Sequence, residues 1–268
     1  MTQQIMGSDG LLVEVDGLVV TVTIDRPEVM NAMTTEMFGE FGRICREVSN
    51  DSKVRAVIVT GSGGNFCSGA DVGAQGQRSA AEDRPHQLRA MRQISETVIA
   101  LHELQHPVIA KVRGVAVGAG LNLALGCDMV VASETARFSE IFARRALSLD
   151  FGGSWLLPRQ VGLHRAKELA LLAEVVDAVE ADRIGLVNRV VPDDDLDKVV
   201  ESVVDRIVAG PPLALSMSKK LLNAGTVSSL TQALEAEAQA QTVNFSTSDV
   251  VEAARSWSDK RPAEFQGH

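Results

Sequence analysis

The residues from Pro107 to Asp128 combine a short apolar run, Val108 to Val112, with three glycines, Gly114, Gly118 and Gly120. Helix formers resume at Leu121, Leu123, Ala124 and Leu125. The pattern reads strand, glycine turn, helix. Glycine admits positive φ and lets backbone approach a ligand closely. A helix that begins after such a turn presents unpaired N–H groups and the positive end of its dipole. Amides placed this way stabilise an oxyanion that develops during a reaction. Two other readings fit the same residues. Gly118 and Gly120 match the first half of a dinucleotide fingerprint, but its third glycine would fall at Leu123 and no acidic residue closes a second strand about 20 residues on. Close strand–helix packing would favour glycine as well. A second glycine-rich stretch, Gly61 to Val72, follows an apolar strand in the same way.

Composition narrows the chemistry. The chain has 268 residues, 45% of them hydrophobic, enough for one large domain. Its net charge of −9 argues against non-specific binding of nucleic acid, and the absence of tyrosine leaves few stacking platforms. Cys45, Cys67 and Cys127 have no ligand-like spacing and suit a reducing, cytoplasmic setting. The five histidines, His86, His102, His106, His164 and His268, show no metal spacing. The first residues lack the basic flank and apolar run of a signal peptide, and no stretch has the ~18 apolar residues of a membrane span.

The elements that must position these loops follow in order. Leu11 to Val15 and Leu18 to Ile24 flank Asp16-Gly17 as a hairpin. Thr34 or Thr35 caps a helix to about Asn50, with Met37, Phe38, Phe41, Ile44 and Val48 at helical spacing. Val54 to Thr60 is a doubly covered strand, Gly73 to Arg84 a mobile loop, Pro85 to Gln105 a helix and Met129 to Ala132 a strand. Ser139 to Ala146 reads as a short helix, Leu163 to Ala173 and Ala181 to Leu186 as helices, and Asn188 to Val191 as a strand. From Asp195 only helices follow, at 196–209, 212–223, 230–243 and 249–260. This predicts an α/β fold in which a parallel-sheet core, residues 1–194, carries a helical C-terminal region, residues 195–268.

Four motifs now carry a resemblance. Arg26-Pro27 with Asn31-Ala32-Met33, the run Phe66 to Asp71, the run Gly114 to Gly120 with Cys127-Asp128, and the run Gly152 to Arg159 resemble the enoyl-CoA hydratase/isomerase (crotonase) superfamily. The resemblance runs from about Leu11 to Phe265. It implies a crotonase-like spiral of ββα units, a homotrimer or a hexamer made of two trimers, and a C-terminal trimerisation region. It implies an acyl-CoA thioester as ligand, with coenzyme A as part of the substrate and no permanently bound cofactor, and no nucleic-acid or membrane partner. It places the oxyanion-hole amides at Ala70 and Ala119. It lays Arg26, Val29, Ser68, Asp71 and Val72 along the CoA moiety, with Lys260 reaching the ribose phosphate, across a subunit boundary if need be. It places Gly118, Asn122 and Phe142 in the substrate pocket.

The family's two hydratase glutamates fall at Asn122 and Phe142, and neither side chain exchanges a proton. Glu140, two residues from Phe142 on the expected helix, would face roughly the opposite way. Asp150 remains, where the superfamily's isomerases and its aromatic-acyl-CoA dehalogenase carry a catalytic aspartate. Leu147, Leu149, Phe142, Phe151 and Trp155 would give it an apolar pocket and a raised pKa. A helix cap or a solvated turn is its alternative role. Asp128 reads as a structural strand-entry residue. The sequence thus favours double-bond isomerisation with Asp150 as acid and base. Hydration through another carboxylate, hydrolysis or dehalogenation with Asp150 as nucleophile, and a non-catalytic acyl-CoA binder stand as alternatives.

Overall fold

In the computed structural model, which describes residues 10–71 and 87–268 together with the backbone of 3–5, strand chemistry and strand position agree. The strands β1 (Gln3–Ile5), β2 (Leu11–Asp16) and β3 (Val19–Ile24) pair antiparallel, with Gly17 at φ 58° in the β2–β3 turn. The next strands are β4 (Ala56–Gly61), β5 (Val108–Val112), β7 (Met129–Ser133) and β10 (Arg189–Val191), and they join β3 in parallel, giving the order β1-β2-β3-β4-β5-β7-β10. The central strands are apolar on both faces because helices cover both. On one face lie α1 (Thr35–Ser49), which buries Met37, Phe38, Phe41 and Ile44 and is capped by the Thr34 side chain, and α2 (Gln87–His102).

A second, three-stranded sheet positions the site. Strand β6 (Val115–Val117) runs parallel to β8 (Arg137–Ser139), with Val117 opposite Ser139, and β8 pairs antiparallel with β9 (Val176–Asp177). Helix α3 (Ala119–Gly126) starts directly after β6 and is buried at every position. The chain then continues through α4 (Gly153–Val161), α5 (Leu163–Leu172) and α6 (Ala178–Arg183) to the C-terminal helices α7 (Leu196–Val208), α8 (Pro212–Gly225), α9 (Leu230–Phe245) and α10 (Ser248–Asp259).

Two expectations change. The short helix expected over Ser139 to Ala146 is strand β8 followed by a 3₁₀ turn at Ile141–Arg145. Backbone pairing of 137–139 with β6 and β9 takes precedence over local helix propensity. The helical region expected beyond residue 194 is not separate from the core: Leu196, Val200 and Val204 of α7 pack on Ala56, Ile109 and Val131, the sheet's other face. The exposed apolar side chains of the C-terminal region lie further on, at Leu222, Leu230, Leu234, Phe245 and Trp257, the last 88% exposed. Val72, His86 and the loop expected at Gly73 to Arg84 lie outside the described residues. Among the described residues no helix is long and apolar enough to cross a membrane.

The glycine stretches touch through atoms that leave no room for a side chain. A Cβ on Gly120 would lie 2.1 Å from the Cys67 carbonyl oxygen. Gly120→Ala should therefore push the loops apart, with destabilisation of about 1–3 kcal/mol or more, typical of overpacking. Chemical denaturation measures it; an unchanged midpoint contradicts this packing.

Candidate active site

The β6–α3 turn and the first glycine loop are stitched together by backbone. Cys67 donates its N–H to the Val115 carbonyl at 2.9 Å, and Val117 donates to the Cys67 carbonyl at 3.0 Å. Gly69 has φ 96° and Gly118 φ 56°, conformations that favour glycine. A Cβ on Gly69 would stand 3.5 Å from the Ala119 nitrogen, so Ala70 and Ala119 sit on neighbouring turns. Ala119 is the first residue of α3, and its N–H has no acceptor inside the helix. The Ala70 N–H has no hydrogen-bond partner among the described residues. Alanine serves at 119 because the positive φ falls on Gly118 instead.

Close to the Ala119 turn, the side chains of Asn122 and Glu140 meet the turn that carries Asp150. Because β6 and β8 end in register and Gly118 donates its N–H to the Ser139 carbonyl at 2.8 Å, Glu140 emerges beside Ala119. Asn122, one turn into α3 and fully buried, donates through Nδ2 to the Asp150 carbonyl at 3.0 Å and to Glu140 Oε2 at 3.4 Å. Its neighbour across the site must be glycine, since a Cβ on Gly153 would lie 2.4 Å from Nδ2. Asn122 Oδ1, Glu140 Oε1 and Asp150 Oδ1 are all buried with no hydrogen-bond partner.

Burial drives both carboxyls upward. Glu140, 1% exposed, is pushed up to about 8 by desolvation; the Asn122 hydrogen bond opposes this and the Asp150 charge adds to it. Asp150 is pushed up to about 6 by desolvation. Glu140 therefore holds its proton to higher pH than Asp150 does. The turn that presents Asp150 contains Phe151 at φ 47°, costly for an aromatic residue, held by packing on Phe38 with ring centroids 5.2 Å apart.

Several expectations are corrected here. Glu140 does not face away from the site; it points into it, because residue 140 leaves a strand rather than sitting on a helix. The signal for it lay in the Ala136-to-Ser139 stretch, which the pairing with β6 turns into a strand. Asp150 does not cap α4, whose N-cap is Gly152 with no side-chain cap. The five apolar residues expected around it do not form one pocket. Leu147 is 57% exposed, Phe151 packs inward on Phe38, and Trp155 turns to His102, whose ring is 5.2 Å away. Trp155 and His102 instead line a cavity of about 820 Å³ with Leu213, Lys219, Lys220 and Asn223, and neither Asp150 nor Glu140 lines it. Phe142 is buried, its ring 3.6 Å from where a Gly118 Cβ would stand.

The remaining residues named from the sequence divide. Arg26 donates to the Ala32 carbonyl at 2.8 Å and to Asp71 Oδ2 at 2.9 Å, and Ser68 Oγ donates to the Val29 carbonyl at 3.2 Å. Arg26, Val29, Ser68 and Asp71 thus form one cluster at the foot of the first glycine loop. Lys260 is exposed at the left-handed C-terminus of α10, with no contact to that cluster among the described residues. Asp128 accepts the Val108 N–H at 2.7 Å and pairs with Lys219 at 2.7 Å, a structural anchor between sheet and α8.

Comparison with known proteins gives a consistent picture. Residues 14–268 match the family model described as enoyl-CoA hydratase/isomerase. The chain is 35% identical over 260 residues to a short-chain-enoyl-CoA hydratase of Clostridium acetobutylicum, covering 97% of this chain and 98% of that one. It is 32% identical to the 1,2-epoxyphenylacetyl-CoA isomerase of Escherichia coli, covering 96% and 98%. The crystal structure of an enoyl-CoA hydratase from Bacillus anthracis superposes with a TM-score of 0.90 at 29% identity, covering 97% and 100%.

Raised carboxyl pKa values fix the sign of a stability effect. The folded chain binds protons more tightly than the unfolded one at Glu140, whose ordinary value of 4.5 rises to about 8, and at Asp150, where 3.8 rises to about 6. Their contribution to stability is present at low pH and is lost as pH rises through these windows. Glu140→Gln should flatten the fall in stability between pH 6 and about 8, read by denaturant unfolding across pH; an unchanged slope would place the Glu140 proton elsewhere.

Proposed function

The chain belongs to the enoyl-CoA hydratase/isomerase family, and from that premise we propose that it is an enzyme of acyl-CoA thioesters that moves a carbon–carbon double bond, with Asp150 as the proton carrier. The observation that carries this reading is the placement of Asp150. Its carboxyl is half-buried, raised to about 6, and joined through its backbone to Asn122, one turn from the Ala119 amide. The usual hydratase positions hold Asn122 and Phe142.

In this mechanism the thioester oxygen accepts hydrogen bonds from the N–H groups of Ala70 and Ala119. When the ionised Asp150 removes a proton from Cα, charge gathers on that oxygen, and fixed amides stabilise it without reorganisation. Asp150 then returns the proton to Cγ. One carboxyl suffices, and no water enters. The CoA moiety lies over the cluster of Arg26, Val29, Ser68 and Asp71, and Lys260 of a neighbouring subunit reaches its phosphate. Trimeric or hexameric assembly is supported by the apolar side chains that α9 and α10 leave exposed, among them Leu230, Leu234, Phe245 and Trp257. Nucleophilic hydrolysis through Asp150 would need a histidine at the site, and His102 is engaged edge-on with Trp155.

Asp150→Asn keeps shape and removes proton transfer. It should lower conversion of a 3-enoyl-CoA to the conjugated 2-enoyl-CoA, followed by ultraviolet absorbance, by about 10²–10⁴-fold while acyl-CoA affinity by calorimetry stays close to wild type. In the wild type, kcat/KM should rise with pH through about 6, as Asp150 ionises. Full turnover in Asp150→Asn removes the assignment. Separately, light scattering should give three or six times the 28.6 kDa chain mass; the mass of one chain at micromolar concentration contradicts the assembly.

A further inference from the structure

Helix α10 ends at Lys260, whose φ of 53° turns the chain back along the helix it has just left. Left-handed backbone is costly for a lysine and persists where its surroundings impose it. Here a row of hydrogen bonds does so. Arg261 donates two parallel hydrogen bonds to Glu252, at 2.6 and 2.9 Å, and Glu252 also accepts the Glu264 N–H at 3.0 Å. One turn earlier on α10, Asp249 accepts the Gln266 N–H at 2.7 Å and the Gly267 N–H at 2.9 Å, one on each carboxylate oxygen. Ser248 donates through its N–H and its Oγ to the His268 carbonyl. Residues 261–268 therefore lie back along α10 as a strap, hooked to it at three positions.

The strap is fastened to the core as well. Arg55, just before β4, donates to the Phe265 carbonyl at 2.5 Å and to the Val208 carbonyl, at the end of α7, at 2.9 Å. Gly267, at φ 82°, lies so close to the start of α8 that a Cβ on it would stand 2.8 Å from Pro212 Cγ. The residues that α10 buries are Asp249 and Ser256, both polar, so no apolar face sets its direction. Asp249, 5% exposed, takes that part instead. Its carboxylate is removed from water and satisfied by two strap amides, an arrangement that tolerates little displacement.

We propose that Asp249 and Glu252 are positioning residues: through the strap they aim Lys260 at the ribose phosphate of CoA bound on a neighbouring subunit. The inference rests on the proposed reading in which Lys260 reaches that phosphate. Lysine is a point charge on a flexible stem. Its contact is worth most when the backbone beneath it is held in advance, because ordering it on binding costs entropy. The apex residue of a clasped reversal is held in this way, and the exposed Lys260 is that residue.

Calorimetry with CoA and with dephospho-CoA, which lacks the ribose phosphate, separates aim from folding and needs no turnover. Wild type should bind CoA more tightly. Lys260→Ala should bring CoA down to the affinity of dephospho-CoA, a loss of about tenfold, the scale of one charge-assisted hydrogen bond. Asp249→Asn and Glu252→Gln should each remove most of the same preference, while dephospho-CoA affinity and the mass by light scattering stay at wild-type values. Asp249→Asn combined with Lys260→Ala should bind CoA no worse than Lys260→Ala alone, since both act on one contact. Where Asp249→Asn does not fold, Glu252→Gln, at a partly exposed side chain, carries the test. The proposal is overturned if the clasp variants keep the wild-type preference, if they weaken both ligands alike, or if the preference vanishes only together with the assembly. Equal binding of the two ligands by wild type, or a preference that survives Lys260→Ala, defeats the phosphate assignment on which the proposal rests, an outcome distinct from any failure of the clasp.

Discussion

The parallel pairing of two three-residue strands holds the site together. Val117 lies opposite Ser139, and one hydrogen bond, from the Gly118 N–H to the Ser139 carbonyl, closes the pair. Everything beyond those strand ends inherits the register. Ala119, whose N–H has no acceptor inside its helix, leaves one strand, and Glu140 leaves the other. A one-residue slip in a strand reverses the faces of its side chains, so it would turn Glu140 out of the site. The first glycine loop is fastened to the same strand through Cys67, which both donates to Val115 and accepts from Val117. The amides of both loops and the backbone of Glu140 are thus positioned by strand pairing, not by mobile side chains.

Asn122 is the hub of the polar interior. Its amide N–H2 reaches both the Asp150 turn and Glu140, and Gly153 clears the space that it fills. Taking two carboxyls out of water disfavours their charged forms, and the cost falls unequally. Glu140 is nearly inaccessible and rises to about 8, while Asp150, half-buried, rises to about 6. Burial, with the neighbouring Asp150 charge adding to it at Glu140, thus separates two chemically similar groups. The strained backbone at Phe151 and the unpartnered Asp150 Oδ1 fall in the same turn.

The C-terminal helices do two kinds of work. Helix α7 completes the core by covering the second face of the sheet with Leu196, Val200 and Val204. Helix α8 buries no residue fully and is held by polar contacts: Lys219 pairs with Asp128 and donates to the His106 carbonyl, and Asn223 donates to the His102 carbonyl. Between α8 and Trp155 this leaves the cavity of about 820 Å³. The division at residue 195 is therefore one of composition, with α7 part of the packed core.

The sequence by itself determined the elements and the two glycine loops. Their signals are local: β-branched runs, helical spacing in α1, the Asp16-Gly17 turn, and glycines where φ is positive or a neighbouring carbonyl approaches. It also determined the family, through four motifs in order, and marked Asp150 as the lone acid of an apolar stretch. Only the tertiary structure decided what lies against Asp150. Glu140 follows a strand because residues 137–139 pair with residues 115–117, over 20 positions earlier, and nothing in Ser139-Glu140-Ile141-Phe142 signals that pairing. Likewise, the apolar stripe of α7 reads the same whether a sheet or a partner covers it, and the neighbours of Trp155 come from α2 and α8 rather than from its own stretch. Side-chain direction and burial depend on which distant backbone supplies the hydrogen bonds, and that is a property of the fold.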